Sequence, residues 1–306
     1  MQVGPLQLTG IQTNSRGNLG ALRHQVDLCN TRPLVEVRRM AIDLKDLENK
    51  TIYILREAYA EFKKPAVLWS VGKDSTTMLW LCRKAFFGKI PFPVVHIDTG
   101  YKFKEMYEFR DMLAREWGFD LKVARNEEAI KENVNPQTDK LDCCTRLKTQ
   151  ALREFVERNS FDALILAIRR DEHGIRAKER YFSPRDENFK WDYKDQPLEM
   201  WDQFQGLVEE GTHMRIHAIL HWRELDVWEY IREEGIPINP MYLARNGKRY
   251  RSLGCEPCTS PIESSASSID EIIEELRTTK IAERSGRAQD KEKTFTMQKL
   301  RALGYM

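Results

Sequence analysis

The sequence has no apolar run of membrane-spanning length, and its N-terminus lacks the apolar core of a secretory signal. The expectation is a soluble, cytoplasmic chain with no membrane partner. Net charge is scarce as well: 49 Lys and Arg against 47 Asp and Glu leave +2, although 31% of residues are charged. No global field therefore recruits nucleic acid or a membrane surface, and an anionic ligand must be held by local positive groups. Six scattered cysteines in 306 residues do not make a secreted disulfide scaffold. The common phosphate loop is also missing, since no pair of glycines five positions apart is followed directly by Lys-Ser or Lys-Thr. A chain of this length can bury a large core, which suggests one α/β domain plus a smaller appended region.

What is present centres on Ala66-Val67-Leu68-Trp69-Ser70-Val71-Gly72-Lys73-Asp74-Ser75. Four apolar residues after Pro65 suit a buried parallel strand. Gly72 allows a tight turn, and Asp74, Ser75 and Thr76 suit the start of an apolar helix running to Phe86. Such a turn aims backbone N–H groups and the positive end of a helix at one point, where a phosphate can bind. Lys73 adds a mobile positive charge, and Ser70 and Ser75 add hydroxyl donors. The order Ser-x-Gly-Lys-Asp-Ser closely resembles the Ser-Gly-Gly-Lys-Asp-Ser loop of the PP-loop ATP-pyrophosphatases, with Val71 in place of the second Gly. These enzymes break ATP between its α and β phosphates.

Before this loop, Ile52, Leu55, Tyr59 and Phe62 have helical spacing. After it, residues 93–98 read as a second strand ending in Asp98-Thr99-Gly100. Asp98 stands at a strand's carboxyl end, where open α/β sheets bind ligands, and is a candidate for a ribose or adenine contact. The alternative is a turn or N-cap aspartate. A helix over residues 103–117, a short strand at 121–123, a helix near 147–156 and a strand over 162–168 follow. This alternation argues for a doubly wound parallel α/β sheet. At the end of the last strand comes Arg169-Arg170-Asp171-Glu172-His173-Gly174-Ile175-Arg176-Ala177-Lys178-Glu179-Arg180. A charge run is commonly a solvated helix face. Here it begins where the phosphate loop also points, and arginine forks suit phosphate, sulfate and carboxylate.

The loop, Val95-His96-Ile97-Asp98-Thr99-Gly100, and the Arg169–Glu172 and Arg176–Arg180 segments together resemble the small-subunit family of heterodimeric bacterial ATP sulfurylases, relatives of the phosphoadenylyl-sulfate reductases. The likeness continues through Phe182-Ser183-Pro184-Arg185-Asp186, residues 221–231 and Arg251-Ser252-Leu253-Gly254-Cys255, spanning about residues 45–306. It implies an adenine-nucleotide α-hydrolase-like fold. A helical arm would occupy residues 1–45, the nucleotide domain 46–210, and a C-terminal region over 211–306 would complete the site and dock partners. The implied reaction is adenylyl transfer from Mg²⁺-bound ATP to sulfate, in sulfate assimilation. Ser70, Gly72, Lys73, Asp74 and Ser75 would hold the departing pyrophosphate. Arg169 and Arg170 are candidates for sulfate or the α phosphate, backed by Arg176, Lys178 and Arg180. The implied partner is a GTPase large subunit, and the N-terminal arm offers a homo-oligomer contact.

Cys143-Cys144 and Cys255-x-x-Cys258 stand outside that pattern and resemble the [4Fe–4S] ligands of adenylyl-sulfate reductases. Zinc and unligated thiols are the alternatives. A reductase reading competes accordingly, but reductases of this kind use a nucleophilic C-terminal cysteine, and no cysteine follows Cys258. The ending Lys299-Leu300-Arg301-Ala302-Leu303-Gly304-Tyr305-Met306 resembles the sulfurylase terminus instead. Sulfur transfer to nucleic acid would need a basic surface, and only residues 245–251 offer one, around an Asn246-Gly247 hairpin turn. His213, His217 and His221 alternate with apolar residues and are expected on a strand's polar face.

Overall fold

A computed structural model describes residues 43–172, 174 and 176–287. The N-terminal arm, Cys29 and the terminal stretch over residues 299–306 lie outside the described residues. Helix α1 (Leu44–Glu61) starts where the Asp43 side chain accepts from the Lys45 amide, and it buries Leu47, Ile54, Leu55 and Ala58. It delivers the chain to β1 (Pro65–Leu68), which leads through the phosphate loop into α2 (Lys73–Ala85). Then follow β2 (Val94–Ile97), α3 (Lys104–Trp117), β3 (Leu121–Ala124), α4 (Glu127–Lys131) and α5 (Lys140–Cys144). A π-helical turn over Thr145–Gln150 joins α5 to α6 (Ala151–Asn159), and β4 (Ala163–Ile165) follows.

The sheet has six strands in the order β3-β2-β1-β4-β6-β5, where β5 is Phe182–Arg185 and β6 is His213–Ile216. All neighbours are parallel except β5, an antiparallel edge beside β6. The doubly wound parallel sheet expected from the sequence is therefore present, with one reversed strand added. Asp162 sets the register of β1 and β4: its carboxylate accepts from the Lys63 and Lys64 amides at 2.8 and 2.9 Å. Both faces are apolar, as parallel strands require. Val67, Val94, Ile165 and Ile216 join the larger core with α1, α2 and α7 (Glu224–Glu234). Ala66, Leu68, Val95 and Leu164 face Leu152 and Val156 of α6. The chain moves from β1 outward to β2 and β3, then returns to β4 on the other side of β1. The crevice between the carboxyl ends of β1 and β4 is thus the topological switch point, where sheets of this kind bind ligands.

Several local expectations change. The solvated helix face weighed for residues 169–180 does not form among the described residues, which hold one 3₁₀ turn over Arg176–Lys178. The Asn246-Gly247 turn is present, with both residues at positive φ (53° and 76°), joining β7 (Lys248–Arg249) back to Arg245; β7 pairs with β8 (Ile262–Glu263). The histidines do not lie on a solvated face. Only His213 is on β6, and both it and His217 are buried, on the side of Glu179 and Arg185. Arg185 donates to Glu179 at 2.8 Å and His217 Nδ1 lies 2.7 Å from the Arg180 carbonyl. The last described helix is α8 (Ile269–Thr278), closed at its N-terminus by a Ser268–Glu271 capping box. Among the described residues no helix is long and apolar enough to cross a membrane.

Burial keeps the imidazoles neutral, pulling His96, His217 and His221 down to about 4 and His213 to about 2, from an ordinary 6.5. The unfolded chain takes up these protons near 6.5 and the folded chain does not, so the stability is complete above that pH. It is lost as pH falls toward 4. Thermal melting between pH 7.5 and 4.5 should show a progressive fall in Tm below about 6.5. A flat profile down to pH 4.5 would contradict the buried neutral state.

Candidate active site

The phosphate loop is fixed from both of its ends. Trp69 Nε1 donates to Thr76 Oγ1 at 3.1 Å, tying the strand end to the first turn of α2. Ser70 and Ser75 hydroxyls lie 3.0 Å apart across the turn, and Ser75 Oγ donates to the Gly72 carbonyl at 3.1 Å. Gly72 is the N-cap and contributes no side chain. The Lys73 amide instead donates to the Tyr242 hydroxyl at 2.9 Å. A Cβ on Gly72 would meet Ser70 Oγ and Tyr242 Oη, each at 3.3 Å, so bulk is not tolerated freely there. Val71 takes φ +64° and is buried. It therefore occupies the left-handed conformation that a glycine adopts without strain, and for a β-branched residue this is a real outlier.

Beside the loop lies a buried charge network. Lys73 is not a mobile cation, since its side chain is only 1% exposed. Its Nζ contacts Asp74 at 3.0 Å, Glu224 at 3.9 Å, and Glu283. Arg169, wholly buried, pairs with Asp74 and Glu283 and reaches Asp171 at 3.0 Å. Burial alone would raise the Glu283 carboxyl, but Arg169 and Lys73 outweigh it and hold it well below the usual carboxylate range. Asp171 also accepts from the Glu224 amide at 2.8 Å, capping α7, while Arg251 holds the Glu224 carboxylate at 2.7 Å. The loop after β4, helix α7 and the segment around Glu283 thus converge on one lysine.

Lys73, Asp74 and Glu283 border a cleft that is partly open to solvent. Ser70, Gly72, Lys73, Asp74 and Ser75 all line it. Lys102, Lys148 and Arg287 form a second cationic region in the same lining, and Arg176 and Arg284 flank Glu172. Leu68, Val95, Ile97 and Leu166 supply an apolar wall at the carboxyl ends of the strands. A lining that combines anion-holding groups with an apolar wall suits a ligand with both phosphate and a flat ring.

The other sequence candidates are placed differently. Asp98 serves its own turn: Oδ1 accepts from the Gly100 amide at 2.8 Å and the Tyr107 hydroxyl at 2.6 Å, and it does not line the cleft. Arg169 stands behind Asp74 and Glu283 rather than in the lining. Arg170 lies over the Tyr181 ring at 5.2 Å and Lys178 over the Tyr193 ring at 4.3 Å, and neither they nor Arg180 lines the cleft. The residues after β4 part company because the chain there forms a loop, not a helix with one face. Tyr242, Glu224 and Glu283 carry no motif that marks them. Only the fold brings them to the loop, from 150 or more residues away.

Cys143 and Cys144, at the end of α5, and Cys255 and Cys258, around a 3₁₀ turn, are all buried and act on one another's ionisation. Thr99 Oγ1 lies 3.3 Å from Cys255 Sγ, and Lys148 Nζ is 3.7 Å from Cys144 Sγ. Burial raises the Cys255 thiol, but Lys148 and Lys102 prevail and bring it to about 6. Cys143, buried among the other thiols, is pushed up to about 12. Among the described residues no three His, Cys, Asp or Glu side chains are arranged as a metal-ligand group. The donor set is of the right chemistry for iron or zinc, but its arrangement is not that of a formed site.

A Ser-x-Gly-Lys-Asp-Ser loop at the switch point of a doubly wound sheet defines an α/β protein with a nucleotide-binding fold. The phosphoadenosine phosphosulfate reductase domain family matches residues 64–261. Sulfate adenylyltransferase subunit 2 of Sulfurimonas denitrificans is 42% identical, covering 86% of this chain and 97% of that one. The Colwellia psychrerythraea protein of the same name is 43% identical over 86% and 98%. By these likenesses the chain belongs to the sulfate adenylyltransferase subunit 2 family and carries the reductase-type domain. Among solved structures, the phosphoadenylyl-sulfate reductase of Candida auris, a phosphate complex, superposes with a TM-score of 0.50 at 14% identity, over 72% of this chain and 96% of that one. The Candida glabrata FMN adenylyltransferase with FAD and pyrophosphate gives 0.52 at 18% identity, over 71% and 64%. At such identities these two establish the fold alone.

Val71 offers a direct check on loop strain. Replacement by glycine removes a left-handed penalty of about 1–2 kcal/mol and forfeits side-chain burial of about 1.5–3 kcal/mol. Val71→Gly should therefore cost less than about 2 kcal/mol in urea unfolding, below the usual 2–5 kcal/mol of a core truncation. A larger loss would mean that Val71 is not strained.

Proposed function

We propose that the chain is the nucleotide-binding subunit of a sulfate adenylyltransferase, forming adenylyl sulfate and pyrophosphate from sulfate and Mg²⁺-bound ATP. The observation that carries this is the Ser70–Ser75 loop, opening with Lys73 onto a cleft whose lining also holds Lys102, Lys148 and Arg287. The β and γ phosphates would lie on the loop, where the α2 N-terminus, Lys73 and the two serines meet growing negative charge on the leaving group. One sulfate oxygen attacks the α phosphorus as the bond to the β-bridging oxygen breaks. Sulfate is already an anion and needs no general base. The difficulty is bringing two anions together, which is a matter of positioning and charge. Lys102 and Lys148 are the groups for the second anion. Arg169 acts as a positioning residue, holding Asp74 beside Lys73, which revises a direct sulfate contact.

The relatives' designation as subunit 2 supports a partner subunit, and a GTPase large subunit that drives the unfavourable equilibrium is the partner proposed. The cytoplasm, where thiols stay reduced, is the proposed compartment. The thiols of Cys143, Cys144, Cys255 and Cys258 are the proposed holders of an iron–sulfur cluster when one is bound, and no step of the transfer is assigned to it. Anaerobically purified protein should carry iron and acid-labile sulfide together, and Cys143→Ser should lose both. Iron-free protein would return the thiols to the role of reduced side chains.

Lys73→Ala tests the transfer site itself. ATP formation from adenylyl sulfate and Mg²⁺-pyrophosphate should fall by about 10²–10³-fold, the usual loss for one stabilising donor. A fall of less than about threefold would remove the loop from the reaction.

A further inference from the structure

The cradle that should receive pyrophosphate already holds an anion from the chain itself. Glu283 reaches both Lys73 and Arg169 with its two carboxylate oxygens and is buried among them. It belongs to a strap over residues 279–287 that follows α8 and contains one 3₁₀ turn, Glu283–Gly286. The strap is pinned on both sides of Glu283. On one side, the Ile281 carbonyl accepts from Arg251. On the other, the Gly286 carbonyl accepts from the Ser260 amide at 2.9 Å, Thr259 and Arg287 form a β-bridge, and Arg284 pairs with Glu172 at 2.7 Å. Nothing else about the strap demands a buried carboxylate. A glutamate placed against two buried cations satisfies a charge requirement that a phosphate would satisfy equally well.

We propose that Glu283 is a displaceable plug: its carboxylate stands in for a phosphate group, and binding of the pyrophosphate end of the nucleotide moves the strap out of the cradle. This deepens the transferase reading and rests on the loop being its pyrophosphate site. The plug has two consequences. It keeps Lys73 and Arg169 paired and the loop in shape when no nucleotide is bound. It also lowers the apparent affinity for any polyphosphate by the fraction of molecules in which the cradle is open. A cradle plugged about nine-tenths of the time binds about tenfold more weakly than an open one. Displacement is a competition of anions, so the strap should be released by inorganic pyrophosphate alone, without adenine.

Calorimetric titration of the full chain with Mg²⁺-pyrophosphate tests this, alongside Glu283→Gln and Lys73→Ala. Glu283→Gln should bind about tenfold more tightly than the unaltered chain, and Lys73→Ala more weakly. Hydrogen exchange of the unaltered chain supplies a readout that needs no variant. The Ser285 and Arg287 amides, bonded within the strap turn at 3.1 and 2.8 Å, should exchange faster once pyrophosphate is added. Equal or weaker binding by Glu283→Gln, or slower strap exchange with pyrophosphate, would overturn the plug while leaving the loop's role intact if Lys73→Ala still weakens binding. Unchanged binding by Lys73→Ala would overturn the loop reading, and the plug with it.

Discussion

Two buried cations, Lys73 and Arg169, set the terms for everything around the phosphate loop. Neither can remain in a dry interior without an anion, because the desolvation cost of an unpaired charge amounts to several kcal/mol. Asp74, Asp171, Glu224 and Glu283 supply that charge from four separate parts of the chain. The pairing fixes the direction of α2, the start of α7 and the path of the strap at once. The proposed pyrophosphate site is thereby kept folded without a ligand. The same low-dielectric surroundings that make the pairing obligatory would strengthen each contact to a developing charge.

The sheet explains why these parts meet. β1 and β4 are neighbours, yet the chain leaves β1 toward β2 and reaches β4 only after β3 and three further helices. Their carboxyl ends therefore face a crevice bounded by different crossovers, and whatever follows each strand is delivered there. The Ser70–Ser75 loop follows one, and Arg169, Asp171 and Glu172 follow the other. Tyr242 closes the site from the region after α7, by accepting from the first amide of α2. Lys102 and Lys148 serve two neighbours, the cleft itself and the Cys255 thiol. Charge on the thiols and charge in the cleft are thus felt by the same lysines.

Much of this was legible in the sequence, because local signals carried it. The strand–turn–helix around Gly72 follows from an apolar run, small residues and helix-capping types in order. The alternation that follows specifies a parallel sheet, and Asn246-Gly247 specifies its turn. What could not be read was long-range pairing. Arg169 and Arg170 are adjacent and alike in sequence, yet one is buried against Asp74 and the other lies over Tyr181. Only the loop path after β4 distinguishes them. Asp98 sits where a ligand contact was plausible, and the Tyr107 and Gly100 donors that occupy it lie nearby in the chain but in no recognised pattern. The histidine spacing suggested a polar face because period-2 alternation says nothing about a second layer covering that face. Val71 shows the reverse case, since a departure from the usual glycine still sits at a left-handed φ of 64°, where a β-branched residue is strained.

On the proposed reading, this cleft transfers an adenylyl group and does not reduce adenylyl sulfate to sulfite. The most direct measurement gives anaerobically prepared protein adenylyl sulfate, pyrophosphate, Mg²⁺ and a thiol donor together, and separates the products. This runs the transfer in its favourable direction, so no driving partner is needed. ATP and sulfate are the predicted products. Sulfite and AMP would contradict the account, and would make the buried thiols, not the phosphate loop, the centre of the chemistry.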